Sequence, residues 1–375
     1  VIKKFLSVTV LFLIGITITS CSFRVPDMMV LEDLNVTLSI AMDLEDDRYV
    51  IYQSIPVFRK DVEEEVSVLS MPAQSMGQAR KVISTMGTGK MAEGKLQVLL
   101  LGRELLDEGD IICHLDYLYR DPIVPANVRI IAVNGPVKEI MHLDTGNKPR
   151  LGAYLKDLVK SGYSDDATVE TTLQEFFRQS YDKGITPSIS EIKKGDTEIR
   201  LTGTALLGND GRYVTSLDNL ESVHLLMLKN ELILPMEVSY PTKDIITIYV
   251  TDFKRDVRTS YRNGTFIFDV TMSAETVGIR EMTVPSGEGE NHVLKSKSLD
   301  ELEKIIAEQI IVHCEQVVEK AQQHQIEPFG FGQFARAQCY DEWKEIEESW
   351  PKVFSDAEVN LDIKIKIKEE GVIKK

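Results

Sequence analysis

Cysteine is scarce: there are four in 375 residues, Cys21, Cys113, Cys314 and Cys339, and no two stand at C-x-x-C spacing. That rules out a disulfide-built scaffold and the usual paired-thiol zinc site. Cys113 and Cys314 each adjoin a histidine, but sequence neighbours point in different directions on a helix or strand and chelate poorly. Cys113, Cys314 and Cys339 are therefore expected to be buried, inert thiols. Catalytic signatures are missing too: there is no G-x-S-x-G, no H-E-x-x-H and no G-x-x-x-x-G-K-[ST]. Basic charge is short, with 43 Lys and Arg against 59 Asp and Glu and a net charge of −16. Such a surface repels phosphate backbones and anionic head groups, so neither nucleic acid nor a basic membrane-binding patch is expected. The longest apolar run, Phe5 to Thr19, carries no charge and is short for a span of the bilayer.

What is present fits a folded chain of two or three domains. Hydrophobic residues make up 43% and charged residues 27%, enough of both to build cores and solvate their outsides. Lys3 and Lys4 precede the apolar run, and Ile18-Thr19-Ser20-Cys21 follows it. A cysteine there could be a buried thiol, half of a disulfide, or a point of lipid attachment. The order of a positive start, an apolar core, an aliphatic residue at −3 and a small one at −1 favours the third. It resembles the bacterial lipobox, in which the thiol receives diacylglycerol and the peptide is cut just before it. Val1 is read as a literal translation of a GTG start codon. The expectation is a signal peptide over 1–20 and a lipoprotein that carries diacylglycerol and palmitate on Cys21. Two acyl chains anchor stably where one would be marginal.

The mature chain reads as α+β, in three domains whose mixed sheets have helices packed on them. An N-terminal α/β domain is expected over 21–187. It has strand patterns in NVTLSIAM and RYVIYQSIPVF and a glycine-stopped helix over 75–89. The buried strand KLQVLLLG follows, then a helical stretch in ELLDEGDIICHLDYLYRDP and a strand in NVRIIAVNG. Helices are expected near Leu151–Lys160 and Val169–Gln179. A small middle domain is placed at 188–242, with Asn209-Asp210-Gly211 as a hairpin signal. The C-terminal domain, 243–375, is expected to be an antiparallel sheet with a long helix. Arg262-Asn263-Gly264 separates two alternating runs, and Ser298 with Glu301 forms a capping box. After it, Leu302, Ile305, Ile306, Ile310, Cys314, Val317, Val318 and Ala321 make an apolar stripe. In VNLDIKIKIKEE, Val359, Leu361, Ile363, Ile365 and Ile367 alternate with polar residues, a half-buried strand with its lysines in water. It should pair with the long strands around Ile245–Asp252 and Thr265–Ser273.

Phe329-Gly330-Phe331-Gly332 has the look of a phosphate loop but lacks the lysine and the preceding apolar strand. Its glycines are expected to turn the chain while the phenylalanines enter the core. His224, on an amphipathic stretch, reads as a packed side chain rather than a ligand. No catalytic residue, metal site or cofactor is assigned, and no ligand-binding residue can be named.

Taken together, the lipobox, LLLGRELLDEGDI, LDYLYRDP, LTGTALLGNDGRYVTSLDNLESVHLLML and PFGFGQFARAQCYDEWKEIEESWPKVFSDAEVNLDIKIKIKEEG resemble the Ger(x)C family. These are the C subunits of nutrient germinant receptors in spore-forming Firmicutes. The likeness covers nearly all of the mature chain, and its last segment is the most specific. Tyr213 to Leu217 stand where the family commonly has a Gly-Trp-Leu element. The resemblance implies a non-catalytic, three-domain lipoprotein on the outer face of the spore inner membrane, acting in germination with a membrane A subunit and a transporter-like B subunit. Two other classes compete: a solute-binding lipoprotein delivering a small molecule to a permease, and an envelope enzyme. The first calls for two similar α/β lobes with a hinge. The second calls for polar residues clustered in a cleft.

Overall fold

A computed structural model describes residues 34–56, 66–73, 90–143, 149–240, 245–282 and 298–369, with a few positions between 75 and 82. The expected helix over 75–89 lies largely outside these residues. The first layer is an eight-stranded sheet in the order β10-β9-β8-β7-β6-β2-β3-β4. Its centre is parallel: β2 (Ser39–Glu45), β6 (Val98–Gly102), β7 (Arg129–Val133) and β8 (Ser188–Lys194). Antiparallel strands complete both sides, β3 (Arg48–Pro56) and β4 (Val66–Pro72) on one, β9 (Ile199–Leu207) and β10 (Tyr213–Leu217) on the other. Val98 to Gly102, VLLLG, is buried throughout, as a central parallel strand covered on both faces must be. A separate parallel pair joins β1 (Leu34–Val36) to β5 (Lys90–Ala92).

Helices α1 (Arg103–Glu108) and α2 (Ile111–Arg120) cover one face together with α5 (Leu173–Tyr181), through Leu105, Leu106, Leu115, Phe176 and Phe177. The other face takes α3 (Val137–Met141) and α4 (Leu151–Ser164), through Val137, Ile140, Leu155 and Val159. The second layer is a four-stranded sheet, β11 (Met236–Tyr240), β12 (Ile245–Arg262), β13 (Thr265–Met282) and β14 (Glu358–Glu369). Its core is closed by α6 (Asn219–Lys229), the long α7 (Leu299–Gln323), α8 (Phe331–Gln338), α9 (Tyr340–Ile346) and α10 (Trp350–Phe354).

Several local expectations are met. Asn263 at φ 52° and Gly264 at φ 86° give the paired positive φ values of a tight hairpin between β12 and β13. Ser298 and Glu301 form both halves of the capping box on α7. Ile363, Ile365 and Ile367 point into the core of β14 while Lys364, Lys366 and Lys368 stay in water.

Two features differ from the expectation in their long-range pairing. The C-terminal sheet is antiparallel only across β11, β12 and β13. β14 runs parallel to β13, with Phe268 opposite Val359 and Ala274 opposite Ile365, and does not pair with β12. The reason is the connection: α7 to α10 intervene and carry the chain back to its starting end, where a turn would have reversed it. Residues 188–242, read as a middle domain, are shared between the layers. β8 enters parallel beside β7, with Ser190 opposite Ile131, so hydrogen bonding continues across the 187/188 boundary. From the same segment, α6 and β11 pack into the second core.

Candidate functional site

In open sheets with parallel strands, ligands settle in the crevice at the strands' carboxyl ends. Here that place is occupied by the protein's own side chains. On the α3 face, Asp43, two residues before the end of β2, has its carboxylate inside: Oδ2 accepts the Val137 N–H at 2.9 Å and Oδ1 the Leu44 N–H at 3.0 Å. Gly102 makes this possible, since a Cβ there would stand 2.0 Å from Asp43 Oδ1. Burial pushes the Asp43 carboxyl up to about 6 against the pull of those two N–H groups. Beside it the Tyr52 hydroxyl donates to Glu45. On the opposite face, Arg103 lays its guanidinium 3.4 Å from the centre of the Tyr213 ring and donates to Asp107 at 2.8 Å. The buried Glu191 lies under them, its carboxyl raised by desolvation and held back by Ser216, Arg103 and Asn134.

The loop after α7 does bind an anion, one supplied by the chain itself. Glu327, with no exposed surface, turns its carboxylate into the Phe-Gly-Phe-Gly segment. Its Oε1 accepts from the N–H groups of Phe329 at 2.9 Å and Phe331 at 3.1 Å, and its Oε2 from Gly332 at 3.5 Å. Gly330 takes φ 79° so that successive N–H groups can converge, the geometry of an anion nest. Phe329 and Phe331 enter the core as expected. Sequence reading found the loop and missed its occupant. The signal was there in Glu327, a carboxylate two residues upstream of a Gly-rich turn, hidden among many other acids.

An open hollow of about 580 Å³ lies between α2 and α5. Tyr119 stacks on Phe177 with ring centres 4.1 Å apart, and Tyr181 adjoins Phe177 at 5.8 Å. Glu175, Arg178 and Asp182 line the rest. Its charges are matched internally: Arg178 holds Glu175 at 2.6 Å, and Asp182 receives Arg336 at 3.3 Å. A smaller hollow of about 340 Å³ shares Glu175 and Arg178 and adds Lys229, itself paired with Glu231 at 3.1 Å.

The single-residue expectations divide. His224 is a packed side chain, as anticipated, fully enclosed against Tyr240 and His313. Cys314 and Cys339 are buried, but Cys113 is exposed, because it falls on the outer side of α2 while Leu115 and Leu118 take the inner one. Cys21 lies outside the described residues. Among the described residues, no three His, Cys, Asp or Glu are grouped to hold a metal, and no helix is long and apolar enough to cross a membrane.

A family model described as "Spore germination protein N-terminal domain" matches residues 27–194, and one described as "Spore germination B3/GerAC like, C-terminal" matches 202–371. Spore germination protein B3 of Bacillus subtilis (strain 168) is 22% identical over 289 residues, which is 75% of this chain and 75% of that one. The crystal structure of the GerBC protein superposes with a TM-score of 0.58 at 17% identity, covering 88% of this chain and 96% of that chain. The chain belongs to the GerAC/GerBC-like family of germinant receptor C subunits.

Proposed function

We propose that this chain is a non-catalytic lipoprotein that works in nutrient-triggered spore germination by assembling with membrane A and B subunits. The observation that carries the reading is the tandem match of both family units, in order, over 27–194 and 202–371. The filled strand-end crevice supports it. A solute-binding protein or enzyme on this fold would use that place, and here Asp43, Arg103, Tyr213 and Glu191 take it up. The lipobox ending in Cys21 supports an anchor on the outer face of the spore inner membrane.

Intact mass spectrometry of the mature membrane form tests the anchor. The expected result is a chain beginning at Cys21 and carrying diacylglycerol. The Cys21→Ala variant should persist as an unprocessed or misprocessed, lipid-free precursor, and its spores should germinate slowly or not at all. A lipid-free Cys21 in the mature membrane form would contradict the anchor.

A further inference from the structure

The two family units meet along a seam beside the Glu327 loop. From the N-terminal unit comes the segment 182–187 that follows α5, and from the C-terminal unit the residues 327–348. Thr186 and Glu327 exchange bonds: the Thr186 N–H donates to the Glu327 carbonyl at 2.7 Å, and the Glu327 N–H to Thr186 Oγ1 at 3.1 Å. Gly184 and Gly332 are in backbone contact, and a Cβ on Gly184 would lie 2.8 Å from the Gly332 carbonyl carbon. The same carboxylate that closes the loop therefore sets the shape of the surface against which the N-terminal unit rests.

We propose that Glu327 is a proton-operated latch on this seam: ionised, it closes the loop 327–332 against residues 184–186, and protonated on Oε2, it releases the amide of Gly332, the residue in backbone contact with Gly184.

The geometry supplies the two states. A carboxylate is acceptor-only and can take all three N–H groups, whereas the neutral acid keeps one oxygen occupied by a proton that faces donors. Desolvation raises the Glu327 carboxyl to about 7, against the opposing pull of the Phe331, Gly332 and Phe329 N–H groups, so both states are populated near neutrality. Among the described residues, few charged groups lie around it. Arg255 of β12 is the cation that feels Glu327, and it lies 5.9 Å from the Phe331 ring and 5.1 Å from Phe334. On the segment after α5, Asp182 is taken up by Arg336 of α8, and Lys183 by Glu347 and Glu348. Trp350 of α10 adds an uncharged indole.

Two observables should then move in opposite directions. Between the ordinary value of 4.5 and about 7, the folded chain keeps a proton that the unfolded chain has lost. This group's contribution to global stability therefore falls as pH rises through that window. Order in the loop, in contrast, should rise as the carboxylate ionises.

Hydrogen–deuterium exchange of the full-length chain in detergent reads the loop directly, through peptides spanning 327–333 between pH 6 and pH 8. After correction for intrinsic base catalysis, wild type should show on the order of tenfold less protection at pH 6, the loss of about one charge-assisted hydrogen bond. Peptides from β12 and β13 should not change. In Glu327→Gln the loop should show the same protection at both pH values. Equal corrected protection at pH 6 and pH 8 in wild type, or the wild-type drop persisting in Glu327→Gln, would overturn the latch. The wild-type series decides the matter even if the variant does not fold.

Discussion

His224 carries its titration in its surroundings. Its Nδ1–H donates to the Leu220 carbonyl at 2.7 Å, and its Nε2 lies 3.3 Å from the Tyr240 hydroxyl, so the neutral ring is the form the site accepts. Burial pushes its pKa down to about 4, with the neighbouring His313 acting the same way and the Leu220 carbonyl resisting. The folded pKa is depressed, so between about 6.5 and 4 the unfolded chain binds a proton that the folded chain refuses. Stability is lost as pH falls through that window. The raised carboxyls of Asp43, Asp166 and Glu327 act with the opposite sign, so wild type alone shows only a sum. His224→Asn keeps a donor for Leu220. The difference in urea stability between the two proteins should shrink by up to about 3 kcal/mol from pH 7 to pH 4. A difference that stays constant with pH would show that His224 does not titrate on unfolding.

Gly102 gives a second test at the same scale. Gly102→Ala must drive the Asp43 carboxylate off Val137, leaving a buried acid without its partners. The expected cost is about 2–3 kcal/mol. On an Asp43→Ala background the obstructing oxygens are gone, so the same substitution should be nearly neutral. A double-mutant cycle in urea reads the coupling directly. Equal costs on the two backgrounds would mean that close packing on the carboxylate is not what requires glycine.

Among the elements, β14 is held by long-range contacts made late in the chain. It pairs with β13 over most of its length, and Glu303 of α7 accepts the Ile367 N–H at 2.9 Å. Ending the chain before Val359 should bare the edge of β13 and the stripe of Ile306, Ile310 and Cys314, and the product should aggregate or be degraded. A truncated protein that stays soluble with an unchanged melting curve would contradict this pairing. This region also shows what could be read from sequence and what could not. The alternation from Val359 to Ile367, the capping box at Ser298 and the turn at Asn263-Gly264 are local patterns, and each appears where it was expected. Strand direction is not local. That β14 lies parallel to β13, and that β8 to β10 join the first sheet, depends on where crossovers deliver the chain. The filled crevice was hidden for the same reason, since Asp43 and Val137 are 94 residues apart. Cys21 was legible as a motif and lies outside the described residues.

At the scale of the molecule, the two family units are joined by continuous hydrogen bonding. The N-terminal match ends with β8 and the C-terminal match begins within β9, yet β8 and β9 pair side by side in one sheet. Arg212, in the turn before β10, reaches back to the carbonyls of Asp107 at 3.0 Å and Glu108 at 2.7 Å. A body built in this way suits presentation of a fixed surface to partners better than opening around a solute. A lipid on Cys21 would confine that surface to a thin layer at the membrane. Tethering through a short flexible linker raises the effective concentration towards membrane partners to about the millimolar range. Contacts too weak to persist in dilute solution then suffice.

Affinity capture of the tagged full-length chain from detergent-solubilised spore membranes tests assembly most directly. The account predicts that the A and B subunits are recovered with wild type in reproducible ratio, and that recovery falls several-fold with Cys21→Ala. Wild-type chain isolated from intact membranes without either subunit would contradict it.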